Sequence, residues 1–339
     1  MTVELTTIAD DLVVLHSNDV CYRFDGLSPG TEYEFLGVTA RTLARPAGEL
    51  LSVVATVNDV HFGEVACGVV DDRTDGPVVR PRPDERPYPE MMNRAAAAEI
   101  ALVRPDAVVV KGDLSSDGTE EEWAAFEACY RVSFSDRLHV VRGNHDAYHG
   151  QVRYDGDHWI DLPGLKIALL DTVVPTHTPG SLRTEQIAEL DDRLVATDGD
   201  RVILMGHHQQ WIPVGDDGRR SDDYFGLHPD ASEALDRLCE RHTNVIAYAA
   251  GHTHRHRIRR MALSGVPSIE VGTVKDFPGT WAEYRVYEGG VMQIVHRISS
   301  PEALNWSNRC RRLYADFGID YETYAMGTLD QRCFVLLDR

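Results

Sequence analysis

The stretch Leu138-His139-Val140-Val141-Arg142-Gly143-Asn144-His145-Asp146 decides how this chain is read. A short β-branched run stops at a glycine, and three side chains able to bind a metal or move a proton follow at once. Short apolar runs bounded by Gly or Asp read as strands of a sheet core. The same pattern recurs on both sides of it. Residues 51–57 precede Asp59-Val60-His61, and residues 107–111 precede Gly112-Asp113. Residues 201–205 lead into Gly206-His207-His208, and residues 245–250 into Gly251-His252-Thr253-His254. A further run, 166–170, ends at Asp171. A lone D-x-H is common by chance, but five such motifs in order at strand ends are not.

Helical patterns fill the intervals at 90–102, 119–130, 184–195 and 231–241. The second has a capping-box spacing from Thr119 to Glu122, in which each side chain satisfies an exposed amide of the first turn. The third also opens on a threonine, Thr184. Strand–helix alternation predicts an α/β layered fold. Sites in such folds form beyond the carboxyl ends of the strands, where every motif here falls. After His254 the pattern turns to strands alone, at 269–273, 281–287 and 291–298, with Glu288-Gly289-Gly290 predicting a hairpin turn.

This ordered set resembles the calcineurin-like metallophosphoesterase superfamily over roughly residues 51–300, most specifically in Gly143-Asn144-His145-Asp146 and Gly251-His252-Thr253-His254. The resemblance implies a four-layer α/β/β/α sandwich and two divalent transition-metal ions. Such ions, about 3.5–4 Å apart, lower the pKa of a bridging water and clamp phosphoryl oxygens. Mixed nitrogen and oxygen ligands suit Mn, Fe or Zn. By motif, Asp59, His61 and His254 are expected at the first ion and Asn144, His207 and His252 at the second, with Asp113 bridging. His252 and His254, two apart on an extended segment, project to one side. His145 is expected to face the scissile phosphate as charge stabiliser or general acid, with Asp146 beside it.

The implied activity is a phosphodiesterase with a metal-bridging hydroxide nucleophile, closest in motif pattern to bacterial class III cyclic nucleotide phosphodiesterase-like proteins. A phosphomonoesterase or nucleotide pyrophosphatase is the alternative on the same chemistry, and a non-catalytic scaffold of the same fold is a weaker one. Three positions depart from relatives. Ser116 stands where many carry an acidic or amide residue to orient the catalytic histidine, with Asp117 one further on. Purple acid phosphatases carry a metal-binding tyrosine at that position, and here there is none. Gln209-Gln210 replaces a pair of prolines after the double histidine, so His207 is taken as the ligand over His208 on motif order. Arg255, Arg257 and Arg259 would share one face of a strand, either as a phosphate-binding stripe or as a solvated edge.

Bulk composition narrows the setting. The 339 residues carry 34 basic and 54 acidic side chains, a formal charge of −20. That balance disfavours nucleic acid and anionic membranes as partners, because both are bound largely through Lys and Arg. A small phosphorylated substrate would need a local positive centre. Six scattered cysteines without a C-x-x-C pair, and residues 1–10 without a basic or apolar leader pattern, favour a cytoplasmic setting. Cys67, six residues past His61, reads as a packing residue. A homodimer stays open.

Residues 1–50 read as a β-rich extension. Within them Leu27-Ser28-Pro29-Gly30-Thr31-Glu32-Tyr33 resembles a fibronectin type III corner, although only half such a sandwich would fit and an ordinary hairpin is the alternative. Residues 51–300 form the phosphoesterase domain. Residues 301–339, with Trp306, Tyr314, Phe317, Tyr321, Tyr324 and Phe334, read as a cap or assembly segment. The breaker-rich loops 71–89 and 213–230 each follow a ligand motif and are candidates to wall the substrate pocket.

Overall fold

A computed structural model describes residues 3–69, 76–197, 199–214 and 224–339. Two six-stranded sheets lie face to face. The first runs in the order Phe334–Leu336, Gly290–Arg297, Thr280–Tyr287, Leu50–Val57, Ala107–Lys111, Leu138–Val141. The second runs Arg257–Arg260, Pro267–Glu270, Val245–Ala250, Val202–Gly206, Leu165–Leu170, His158–Leu162. The motif-bearing strands run parallel to one another within each sheet.

Side-chain alternation explains why these strands read as unbroken apolar runs, since both of their faces are buried. Val54, Ala107 and Val109 point into the layer between the sheets, where Leu169, Ile203, Met205 and Ala249 meet them. Ala55, Val57, Val108 and Val110 point outward, under the helices Tyr88–Leu102, Glu120–Phe134 and Pro301–Arg309. On the far side, Thr184–Ala196 and Pro229–Arg241 cover the second sheet through Leu190, Leu194, Leu235 and Leu238. The result is the expected α/β/β/α sandwich. The Thr119–Glu122 capping box is present, with reciprocal bonds of 3.3 and 3.1 Å. The helix at 184 differs, because Arg183 rather than Thr184 occupies its cap and Gln186 accepts the Arg183 N–H.

The N-terminal residues form a three-stranded meander, Glu4–Ile8, Leu12–Ser17 and Val20–Asp25, and a hairpin, Glu32–Phe35 with Val38–Arg41. Tyr33 does tie back to upstream backbone, its hydroxyl accepting the Ser28 N–H at 2.9 Å. The meander packs Val13 and Leu15 with Met292 and Ile294 on the outer face of the first sheet, and Thr7 donates to the Val295 carbonyl at 2.7 Å. At the other end of the chain, Phe334–Leu336 adds an edge strand to the first sheet. All six cysteines are free. Among the described residues no helix is long and apolar enough to cross a membrane. Parts of the two breaker-rich loops, residues 71–75 and 215–223, lie outside the described residues.

Candidate metal centre

The five motif loops leave the carboxyl ends of their strands and converge between the two sheets. Sharp turns bring them there. Asp59, His61, Asp113, His252 and His254 all have left-handed backbone, with φ of 54°, 46°, 51°, 67° and 55°. Such values are uncommon outside glycine and cluster where function constrains the chain. The motif glycines make room: a Cβ on Gly112 would stand 2.3 Å from the His207 imidazole, and one on Gly143 2.2 Å from an Asp113 carboxylate oxygen.

Asp113 lies at the middle of the cluster. Its Oδ2 is 3.4 Å from His61 Nε2 and 3.3 Å from His207 Nε2, and its Oδ1 accepts the His145 N–H at 3.0 Å. To one side stand Asp59 and His254, with Oδ1 and Nε2 3.7 Å apart. To the other, His207 Nε2 is 3.0 Å from Asn144 Oδ1 and 3.2 Å from His252 Nδ1. All seven expected ligand side chains therefore meet in one place. Two groups of three, Asp59–His61–His254 and Asp59–Asp113–His207, each bring their donor atoms within 4.8 Å of one another.

The donors are also prepared to accept a cation. His207 gives its Nδ1–H to the Lys111 carbonyl at 2.9 Å, and His252 gives its Nε2–H to the Phe225 carbonyl at 2.9 Å. Each bond fixes the tautomer and turns the remaining lone pair inward, as outer partners of metal-bound histidines do. Asp276 faces His254, with its Oδ2 3.5 Å from Nδ1, and its other carboxylate oxygen accepts from the Tyr321 hydroxyl at 2.8 Å. His61 is buried, and neither of its ring nitrogens has a hydrogen-bond partner. Buried polar atoms are rarely left so, and a metal ligand is an arrangement that satisfies one. The residues present thus fit a two-ion site.

Electrostatics agree. Burial alone would raise the Asp113 carboxyl, yet the surrounding His207, His145 and His61 hold it well below the usual carboxylate range. Burial opposes charge on His207 too, but Asp113 and Asp59 raise it to about 9. The carboxylates thus favour positive charge at this point, whether a proton or a cation carries it. Burial, with His145 next to it, pushes His61 down to about 4.

His145 is half-buried, and its Nδ1 lies 2.8 Å from the Ser116 carbonyl. Main chain therefore supplies the orienting acceptor for which a side chain at 116 or 117 was sought. Asp117 is exposed, its backbone tied to Glu122 and Gln151, and lies outside the cluster. His208 is engaged at both nitrogens, by the Thr172 hydroxyl at 2.8 Å and the Thr178 carbonyl at 2.9 Å. Burial, then the charge of His207, pushes its pKa down to about 3. Gln209 and Gln210 bind Tyr224 and the Ser232 carbonyl. The arginine stripe is a structural edge: Arg255 and Arg259 pair with buried Glu270 at 2.7 and 3.2 Å. Cys67 is buried as expected of a packing residue, although its Sγ lies 3.8 Å from the buried Lys275 amine.

Asp146 proves to be a brace between two loops. Its carboxylate accepts the N–H groups of Leu114, Ser115 and Gly143 at 3.0, 2.9 and 2.8 Å, and the Ser115 hydroxyl at 2.5 Å. Asp146→Ala would leave these buried donors without an acceptor, at a cost of about 2–4 kcal/mol. Thermal denaturation in the presence of a chelator checks this apart from metal binding. A variant melting with the parent would mean that the loops hold without it.

A family model described as calcineurin-like phosphoesterase matches residues 53–256. The chain is 27% identical over 157 residues to the 3',5'-cyclic adenosine monophosphate phosphodiesterase CpdA of Pseudomonas aeruginosa, covering 45% of this chain and 55% of that protein. It is 32% identical over 164 residues to a cAMP/cGMP dual specificity phosphodiesterase of Mycobacterium tuberculosis, covering 45% and 49%. The chain thus spans about half the length of these curated relatives. In structure it is similar to a dimetal phosphatase from Danio rerio, with a TM-score of 0.57 and 17% identity over 74% of this chain and 98% of that one. It is also similar to a purple acid phosphatase from yellow lupin, with a TM-score of 0.53 and 15% identity over 83% and 60%. At those identities the likeness concerns the fold.

Proposed function

This chain belongs to the calcineurin-like phosphoesterase family, and on that premise we propose that it is a binuclear metal-dependent phosphodiesterase acting on small diesters of the cyclic nucleotide kind. The observation that carries the reading is the position of Asp113 Oδ2, 3.4 Å from one inward-facing imidazole and 3.3 Å from another. A carboxylate so placed could serve two ions at once. Asp59, His61 and His254 would hold the first ion and Asn144, His207 and His252 the second. Two bound divalent ions supply an activated water at neutral pH and neutralise phosphoryl oxygens. In a chain of formal charge −20 that positive centre is what admits an anionic substrate.

The protein's own residues do the rest. Asp113 Oδ1 fixes the backbone of His145, and the Ser116 carbonyl fixes its ring. Nδ1–H is committed to that carbonyl, so Nε2 is the atom that would hold a proton for the leaving oxygen. The relatives' activities on cyclic nucleotides support the diester reading. The complete ligand set and catalytic histidine speak against a mere scaffold. The six free thiols suit a reducing, cytoplasmic compartment.

Elemental analysis after reconstitution with Mn should approach two ions per chain. Turnover is then screened on bis-p-nitrophenyl phosphate, p-nitrophenyl phosphate and a panel of cyclic nucleotides. A metal content that stays at zero with Mn, Fe and Zn would sink the site assignment. Turnover of the monoester alone would sink the diesterase reading.

A further inference from the structure

A cavity of about 430 Å³ opens beside the ion cluster, with His252 and His254 in its floor. Its walls come from two directions. The first wall is Phe225, whose carbonyl holds His252 and whose ring lies 5.3 Å from that imidazole. The second is the C-terminal segment, which contributes Tyr314, Ile319, Tyr321 and Tyr324. Tyr314 meets Tyr321 edge-on at 5.1 Å, and Tyr321 reaches Asp276, which faces His254. The Arg255 guanidinium lies 4.9 Å from the Tyr324 ring centroid and is paired to Glu270. Apart from the two histidines, no ionisable side chain other than tyrosine lines the cavity among the described residues.

Two of the seven candidate ligands, His252 and His254, line this cavity, so a phosphoryl group held at the ions would have it within reach of an ester substituent. We propose that the substituent taken there is a flat aromatic or heteroaromatic group, and that the segment 314–324 sets this preference. The inference rests on the proposed phosphohydrolase site and specifies its substrate. Aromatic rings offer large contact area and favourable stacking to a flat group. A polyol would find only the Thr178, Thr253 and tyrosine hydroxyls as partners there, and burying its remaining hydroxyls against Phe225, Ile319 and the ring faces is unfavourable.

The test compares 2-phenylethyl methyl phosphate with glyceryl methyl phosphate on the Mn-loaded enzyme. Both release aliphatic alkoxides, so leaving-group ability is similar. The expected kcat/KM is about tenfold or more in favour of the phenylethyl ester, the scale on which apolar pockets discriminate. Tyr324→Ala should lower that value about tenfold with less than about a twofold change for the glyceryl ester, whereas Tyr324→Phe should leave both near the parent. Ile319→Asn, at an exposed position, should act in the same direction and serves if Tyr324→Ala does not fold. Equal kcat/KM for the two esters, or equal losses in the variants, would overturn the inference. The comparison is repeated with the two phosphate monoesters and, by calorimetric titration, with 2-phenylethylphosphonate and a glycerol phosphonate. If only monoesters turn over, the diesterase reading fails while their ratio still decides the pocket. If nothing turns over, the ratio of the two phosphonate affinities decides it.

Discussion

Asp113→Ala is expected to abolish turnover and to weaken binding of both ions together. The carboxylate stands between the two halves of the cluster, and its second oxygen holds the His145 backbone N–H. Its loss therefore removes a shared ligand and loosens the catalytic histidine. Asp59→Ala, on one flank, should lower occupancy mainly at the first ion. Because Asp113 has left-handed backbone, alanine there adds strain of about 1–2 kcal/mol that is unrelated to charge. Asp113→Asn is the cleaner variant for the backbone, since asparagine tolerates that conformation, while its amide nitrogen replaces one acceptor oxygen and the negative charge is lost. Full turnover with normal metal content in the asparagine variant would refute the bridging role.

His145→Ala should cut turnover by about 10²–10⁴-fold, the usual span for a lost general acid or charge stabiliser, with metal content near wild type. The second half follows from the geometry: Asp113 contacts the backbone of His145, and that bond survives truncation of the ring. The loss should shrink for p-nitrophenyl esters, whose leaving oxygen needs no proton. Equal losses for good and poor leaving groups would leave only electrostatic stabilisation. Full activity on every substrate would remove His145 from the mechanism.

The sandwich was legible because its central strands are buried on both faces and so appear as continuous apolar runs. The bounds of Ala107–Lys111 and Val245–Ala250 match the reading residue for residue. Two of the edge strands were not legible. His158–Leu162 alternates weakly beside solvent, and Phe334–Leu336 has three residues, too few to show a period. The cluster was legible for a different reason: its donors are side chains in short motifs next to strand ends. Its supports are not of that kind. The carbonyls of Ser116, Lys111 and Phe225 orient three histidines, and a carbonyl belongs to every residue, so no residue type announces it. That is why the departure at position 116 looked like a missing partner. Asp276 is a side chain, but it reaches His254 from a loop 22 residues away in sequence, and no local pattern marks it.

The left-handed turns at Asp59, His61, Asp113, His252 and His254 have a thermodynamic reach beyond their placement of donors. Each asks a residue with a side chain to sit where glycine would be at ease, at about 1–2 kcal/mol apiece. The folded body must hold five such residues against their local preference. A cation bound by them in the native state alone offsets that burden, by an amount that grows with the logarithm of its concentration. With the proposed ions bound at these residues, the melting temperature would be coupled to the free metal around the protein, and depletion of the ion would lower the stability of the fold as well as the rate of the reaction.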